Sequence, residues 1–169
     1  MFAQVQIFGK YTPEEKTLAP DINIFGYGQK LNQSSTLKMT YFALVEENWA
    51  EGLIGVSYAP KDWLELGLLG GIETTETLYR FCASVWLGKD KFSLLTFFEK
   101  GDGKDNWWYK STLSYQIAET WSTGLMSWRY NGTGVFVKKD FKTFSVWVNP
   151  AYDLEFEKER LTMGIDIKI

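Results

Sequence analysis

A strict two-residue alternation of apolar and polar residues is the feature that most constrains this chain. In Arg160–Ile169 every odd-numbered residue is apolar, whereas the even-numbered ones are Arg, Thr, Gly, Asp and Lys. Successive side chains of a β-strand point to opposite sides, so this segment predicts a strand with one apolar and one polar face. The same period returns along most of the 169 residues. The chain is therefore predicted to form one continuous sheet.

Strand-sized segments joined by short turns account for nearly the whole sequence. The predicted strands are Val5–Tyr11, Ile22–Leu31, Thr36–Glu46, Glu51–Tyr58, Trp63–Ile72, Leu78–Leu87, Phe92–Glu99, Trp107–Ile117, Trp121–Tyr130, Thr133–Lys138, Phe141–Asn149 and Arg160–Ile169. Connections rich in Gly, Asp and Asn, such as the two-residue turn Asn131-Gly132, are typical of antiparallel hairpins. They leave no room for crossover helices. We therefore expect a single all-β domain over residues 1–169, an antiparallel up-and-down meander closed into a β-barrel of about 10–12 strands.

The two faces of these strands indicate which side of the barrel meets water. On each of the clearest strands, the residues of one parity, odd or even, are apolar, and we call this set the apolar parity. Its members are Leu37, Met39, Tyr41, Ala43, Val45, Leu64, Leu66, Leu68, Ile72, Tyr79, Phe81, Ala83, Val85, Leu87, Tyr109, Leu113, Tyr115 and Ile117. The opposite parity holds charged, hydroxyl and glycine residues. A Lys or Arg at mid-bilayer on the lipid face costs about 2–4 kcal/mol, so only the apolar parity could face lipid.

Two arrangements are compatible with this alternation. A wide barrel with Leu, Phe and Tyr inside would need a large apolar ligand or a plug, and the sequence offers no helix as a plug. Turning the apolar parity outward removes that need and predicts a transmembrane barrel in a lipid bilayer, filled with charged, hydroxyl and glycine residues. The alternative is a soluble meander barrel, cytoplasmic or periplasmic, that binds a hydrophobic small molecule in its interior.

Charged residues of the polar parity are the candidate functional residues. The expected lumen-lining residues are Lys38, Glu65, Arg80, Lys110, Asp166 and Lys168. Fixed charges act strongly in a confined channel, so these side chains could bias which small solutes pass. They could equally pair across strands and close the barrel, and the sequence leaves both arrangements open.

Aromatic residues make up 17% of the chain, with 8 Trp, more than a core of this size needs. Several lie at predicted strand ends, where amphipathic rings meet the two bilayer interfaces. The expected membrane-interface aromatics are Tyr58, Trp63, Tyr79, Trp107, Trp108, Tyr109, Trp121 and Tyr130. The alternative is that Trp and Tyr are simply favourable strand residues.

Charge and composition exclude several classes of function. The formal net charge is -3, and Lys and Arg do not cluster, which argues against nucleic acid as a partner. Histidine is absent, which removes the commonest general base and metal ligand. Cys82 is the single cysteine, so a disulfide framework is excluded. Since no carboxylate pair is singled out by spacing either, we expect neither a catalytic site nor a metal or cofactor.

The ends of the chain bear on its targeting. A run of about 18 apolar residues, which a transmembrane helix needs, does not occur. Met1–Gln4 is too short for a signal peptide but is similar to the residues that precede a signal cleavage site. The segment therefore leaves two interpretations open, a cytosolic protein that begins at Met1 and a processed or truncated export product.

The segment from Gly55 to Leu68, a strand, a tight turn and a second strand, resembles the small Gram-negative outer-membrane β-barrels, and Arg160–Ile169 resembles their closing strand. The resemblance covers nearly the whole chain as a pattern rather than a signature motif. This family commonly ends in an aromatic residue, whereas this chain ends in Ile169. The resemblance implies a bacterial outer-membrane location and a role as a small channel or a membrane-embedded structural protein.

Overall fold

A computed structural model describes residues 2–31, 36–74 and 79–169, and these residues form twelve β-strands. The strands are β1 (Phe2–Thr12), β2 (Thr17–Lys30), β3 (Leu37–Val45), β4 (Ala50–Lys61), β5 (Leu64–Glu73), β6 (Tyr79–Lys89), β7 (Phe92–Gly101), β8 (Trp107–Ala118), β9 (Trp121–Trp128), β10 (Gly132–Asp140), β11 (Phe144–Asp153) and β12 (Lys158–Lys168). Within the described ranges, no helix is long and apolar enough to cross a membrane.

Every strand pairs antiparallel with its neighbours in sequence, and β1 pairs with β12 to close the ring. The closing register runs from Gln4 opposite Lys168 to Tyr11 opposite Leu161. This confirms the predicted all-β meander barrel. Closure leaves no exposed sheet edge, because every strand has a partner on both sides.

Three strands extend through a proline that the sequence-based boundaries avoided. The predicted strands stop short of Pro20, Pro60 and Pro150, and proline lacks the N–H needed for a ladder hydrogen bond. In the structure, Pro20 lies within β2 opposite Gly9, and Pro150 lies within β11 opposite Leu161. Those boundaries were wrong, because a few missing donors are tolerated in a ladder that is otherwise continuous.

The hairpin between β9 and β10 also differs from its prediction. Asn131-Gly132 is not a two-residue turn. The turn consists of Arg129, Tyr130 and Asn131, and Gly132 opens β10 opposite Trp128. Tyr130 and Gly132 both have positive φ, at 70° and 81°, which are the left-handed conformations that let a three-residue loop reverse the chain.

Gly132→Ala is expected to lower the free energy of unfolding by about 1–3 kcal/mol, because the left-handed backbone strains a side chain. A Cβ there would also lie 2.5 Å from the Tyr152 carbonyl carbon and oxygen. Urea unfolding in detergent micelles measures the loss. The control is Gly103→Ala, where φ is +89° but nothing lies within 4 Å. An equal loss in both variants would show that the contact with Tyr152 is unimportant.

The outer surface of the barrel is apolar, whereas charged side chains point into its interior. Leu68 and Phe81 are 69% and 66% exposed on the outer surface, whereas Arg80 and Asp166 are 2% and 3% exposed. This confirms the expected outward direction of the apolar parity for most of its members. Leu64 and Tyr41, from the same set, border the interior cavity as well.

The interior is less polar than the sequence predicted. Five apolar side chains pack together inside the barrel: Phe8, Met126, Trp128, Phe136 and Trp147. A smaller group of Leu53, Leu69 and Cys82 packs with Phe42 and Phe97. The expectation of a purely charged, hydroxyl and glycine interior was therefore wrong. A barrel of twelve strands encloses more volume than its polar side chains fill, and large apolar side chains occupy part of that volume.

Candidate functional site: the barrel interior

A cavity of about 1330 Å³ occupies the barrel interior. Its wall contains five of the expected lumen residues: Lys38, Glu65, Arg80, Lys110 and Asp166. Lys168 lies instead at the end of β12, where its side chain is 52% exposed and its Nζ is 3.8 Å from Asp140 Oδ1. Lys168 is outside the cavity wall because β12 ends there.

Arg80 organises a buried group of three carboxylates, here called the acid cluster: Glu51, Glu73 and Glu99. Its Nε donates to Glu99 Oε2 at 2.8 Å and lies 2.7 Å from Glu51 Oε2. Since Nε has one hydrogen, the contact with Glu51 is an ion pair without a hydrogen bond of its own. Arg80 Nη1 donates to Glu73 Oε2 at 2.7 Å. The four side chains come from β4, β5, β6 and β7 and are all buried.

Asn106, in the turn between β7 and β8, reaches onto this group. Its Oδ1 accepts a hydrogen bond from Arg80 Nη1 at 2.9 Å, and its Nδ2 donates to Glu73 Oε1 at 2.5 Å. Gly101 makes the close approach possible, because a Cβ there would lie 2.2 Å from Asn106 Nδ2. The turn is thus anchored into the mouth of the barrel.

A second ion pair lies on the wall formed by β3, β4 and β5. Lys38 Nζ binds Glu65 Oε2, and Ser57 Oγ donates to Glu65 Oε1 at 2.6 Å. Both charged side chains are about one-fifth exposed, at 24% and 19%. This pair therefore faces the water of the cavity more than the acid cluster does.

Asp166 is the centre of a third polar group. Its Oδ1 accepts from Gln6 Nε2 at 2.7 Å and from Trp147 Nε1 at 3.0 Å. Its Oδ2 accepts from Lys138 Nζ at 2.7 Å and from Ser145 Oγ at 3.4 Å. Four donors saturate this buried carboxylate, and Lys138 balances its charge.

Lys110 has no such carboxylate partner among residues 2–31, 36–74 and 79–169 and lies among aromatic rings. Its Nζ is 3.9 Å from the ring centre of Trp128, 5.8 Å from that of Trp147 and 5.9 Å from that of Phe8. We call these three rings the aromatic box. Lys110 Nζ also donates to Gln6 Oε1 at 3.4 Å.

The expected interface aromatics divide between the two ends of the barrel. Tyr58, Trp63 and Trp121 lie at the end that carries the chain termini, and Tyr79, Trp107, Tyr109 and Tyr130 lie at the other end. Trp108 is an exception, because it shares the inward parity of Lys110, lines the cavity and packs edge-on against Trp128 at 6.4 Å. Its expected place at a membrane interface is corrected to the barrel interior.

Arg129 joins three turns at the end opposite the termini, and the sequence did not single it out. Its Nη1 donates to the carbonyl oxygens of Asp105 and Trp107, and its guanidinium lies 4.0 Å from the Trp107 ring centre. Its Nε and Nη2 bind the two oxygens of Glu155 at 3.2 and 3.1 Å. These hydrogen bonds hold the pKa of Glu155 below its usual value. The mouth at this end is thus fixed by side-chain contacts between turns.

Among residues 2–31, 36–74 and 79–169, no group of three or more His, Cys, Asp or Glu is arranged to hold a metal ion. What the interior provides is a set of fixed charges, hydroxyl groups and rings around a cavity. Such an arrangement can admit water and polar solutes and discriminate among them by charge and size.

The fold is similar to that of two solved porins. The KdgM porin aligns with a TM-score of 0.64 and 9% sequence identity over 98% of this chain and 99% of its own. A structure titled as the KdgM porin in complex with disordered oligogalacturonate gives the same values. The NanC porin aligns with a TM-score of 0.63 and 10% identity over 98% of this chain and all of its own, 100%.

No protein-family model matches the sequence, and no curated protein matches it. At identities of 9% and 10%, the likeness to the two porins establishes the architecture of the chain. It confirms the resemblance to outer-membrane β-barrels at the level of fold.

Proposed function

We propose that this chain is a transmembrane β-barrel of the outer-membrane type that passes small polar solutes and catalyses no reaction. The observation that carries the proposal is that the closed barrel is apolar on its outside and charged on its inside. Apolar side chains cover the outside, whereas paired and unpaired charges surround a cavity of about 1330 Å³. A bilayer is the environment that stabilises this arrangement, because it solvates an apolar exterior and requires every strand to be paired.

Strand length and aromatic placement support the same proposal. The described strands have between 8 and 14 residues, and ten residues rising about 3.3 Å each at a tilt of about 40° cross the apolar band of such barrels, which is about 25 Å tall. Exposed rings such as Trp63 and Tyr79 lie at opposite ends of the barrel. Aromatic girdles at both interfaces are typical of this class.

The soluble barrel is the less favoured candidate. It requires the apolar parity to line the cavity, but Leu66, Phe81 and Ile165 are exposed on the outside. Monomeric soluble proteins rarely expose contiguous apolar patches larger than a few hundred Å². An apolar belt around the whole ring exceeds that limit.

The class of solute is proposed from the cavity wall and from the relatives in fold. Hydroxyl groups such as Thr40 and Ser84 and rings such as Trp86 line the cavity, which is the chemistry that contacts sugars in water. One relative in fold has a structure in complex with oligogalacturonate. Acidic and neutral oligosaccharides are therefore the first solutes to test.

The test is expression followed by fractionation and reconstitution. We expect the chain in the membrane fraction, folded in detergent with heat-modifiable migration on gels, and giving discrete conductance steps in planar bilayers. A monodisperse monomer in detergent-free buffer would contradict the membrane proposal. Folded barrels that insert into bilayers but never conduct would contradict the channel and leave an anchoring role.

A further inference from the structure

Lys110 contacts the ring of Trp128, its partner on the neighbouring strand β9, and also reaches across the barrel interior. It lies on β8, and its Nζ donates to Gln6 Oε1 on β1 at 3.4 Å. Along the ring, β8 and β1 are separated by β9, β10, β11 and β12, so the contact joins strands five places apart in a ring of twelve. Phe8 and Trp128, on β1 and β9, pack across the same gap with ring centres 5.0 Å apart. This side of the interior is therefore bridged by side chains.

Most other cations of the cavity wall are neutralised by a carboxylate. Lys10 pairs with Asp21 and Lys38 with Glu65. Arg80 contacts all three acids of the acid cluster, so that group has a formal excess of acid over base. Lys138 pairs with Asp166 at 2.7 Å. Lys61 forms no ion pair with any residue that the structure describes, but it lies exposed at the rim, at the end of β4.

Lys110 differs from all of them within the described part of the chain, because it forms no ion pair and lies inside the barrel. The nearest charged groups on this side of the interior are Lys138 and Asp166, which neutralise each other. The three side chains Lys110, Lys138 and Asp166 therefore have a net formal charge of one positive unit, and Lys110 supplies it.

The aromatic box stabilises this charge without cancelling it. The face of an aromatic ring attracts an ammonium through its quadrupole, but the rings of Trp128, Trp147 and Phe8 have no net charge of their own. The positive field of Lys110 therefore persists in the cavity. A fixed charge in a narrow lumen with low-dielectric walls attracts ions of opposite sign and repels ions of the same sign.

We infer that Lys110 shifts the ion preference of this lumen toward anions and narrows it, through an ammonium that no carboxylate contacts and that the aromatic box holds across the interior. The inference rests on the proposed channel function. It assigns this contribution to one side chain, although six charged residues of the polar parity were equivalent candidates in the sequence.

The test measures the reversal potential in a KCl gradient and the single-channel conductance of wild type and of four Lys110 variants. Lys110→Met retains length and removes the charge, so its reversal potential is expected to move toward cation preference with little change in conductance. Lys110→Ala also removes the bridge and is expected to raise the conductance. Lys110→Arg retains charge and reach and is expected to behave as wild type. Lys110→Gln repeats the charge test if the Met variant does not fold.

The matched control is the double variant Lys38→Met/Glu65→Gln, which removes a neutralised pair and leaves the net charge of the lumen unchanged. Its reversal potential is expected to equal that of wild type. Conducting channels in which Lys110→Met and wild type have the same reversal potential would overturn the role of Lys110 while the channel proposal stands. A wild-type barrel that inserts and never conducts would overturn both.

Discussion

Arg80→Met is expected to lower the free energy of unfolding by about 3–5 kcal/mol, the range found when one partner of a buried ion pair is removed. Arg80 is the cation that contacts Glu51, Glu73 and Glu99, and all three acids are buried. Met fills a similar length but provides no charge. The acid cluster would then hold three carboxylates away from bulk water with no cation in contact.

Unfolding by urea in detergent micelles, followed by tryptophan fluorescence, measures the effect of Arg80→Met. Lys38→Met is the control, because the pair with Glu65 is partly exposed and exposed pairs contribute about 0–1 kcal/mol. Adding Glu51→Gln and Glu99→Gln to Arg80→Met is expected to recover part of the loss, since two of the three buried acids left without Arg80 become neutral amides. If Arg80→Met costs no more than Lys38→Met, the acid cluster does not depend on its arginine.

The fold and the direction of its faces could be predicted because they depend on local pattern. A two-residue period assigns every side chain of a strand to one face, and short turns leave only neighbouring strands as partners. The outward position of Leu68 and Phe81 and the inward position of Arg80 and Asp166 follow from that rule alone. Closure of the ring required only that no strand be left with a free edge.

The partners of the interior charges could not be predicted, because they depend on register and shear across several strands. Arg80 was a candidate, but Glu51, Glu73 and Glu99 reach it from three other strands. Nor does any local signal indicate that Lys110 contacts Gln6, more than one hundred residues away in sequence, while Lys38 finds a carboxylate.

The interior rings were missed although a signal was present. Phe8 has the same parity as Gln6 and Lys10, and Trp147 has the same parity as Ser145 and Asn149. Their parity therefore placed them inside, against the general assignment of apolar residues to the outside. Trp108 has the same parity as Lys110 and was nevertheless assigned to a membrane interface. Parity decides the face even where the residue type suggests the opposite one.

Leu68→Arg is expected to destabilise the barrel by about 2–4 kcal/mol in a bilayer, the cost of an Arg at the membrane midplane. Leu68 is near the centre of β5 and is 69% exposed on the outer surface. Its side chain contributes little to protein packing there, so the loss would come from placing a guanidinium in hydrocarbon. Guanidinium-induced unfolding from phosphatidylcholine vesicles provides the measurement.

Ile72→Arg is the matched control on the same strand and the same face. Ile72 is 61% exposed and lies one residue from the end of β5, where an Arg reaches the interface and costs about 0–1 kcal/mol. A bilayer imposes a depth axis, so Leu68→Arg should be the more harmful change. Bulk water imposes none, and in a soluble barrel both exposed substitutions would be close to neutral. Equal effects of the two variants would therefore contradict the transmembrane orientation itself.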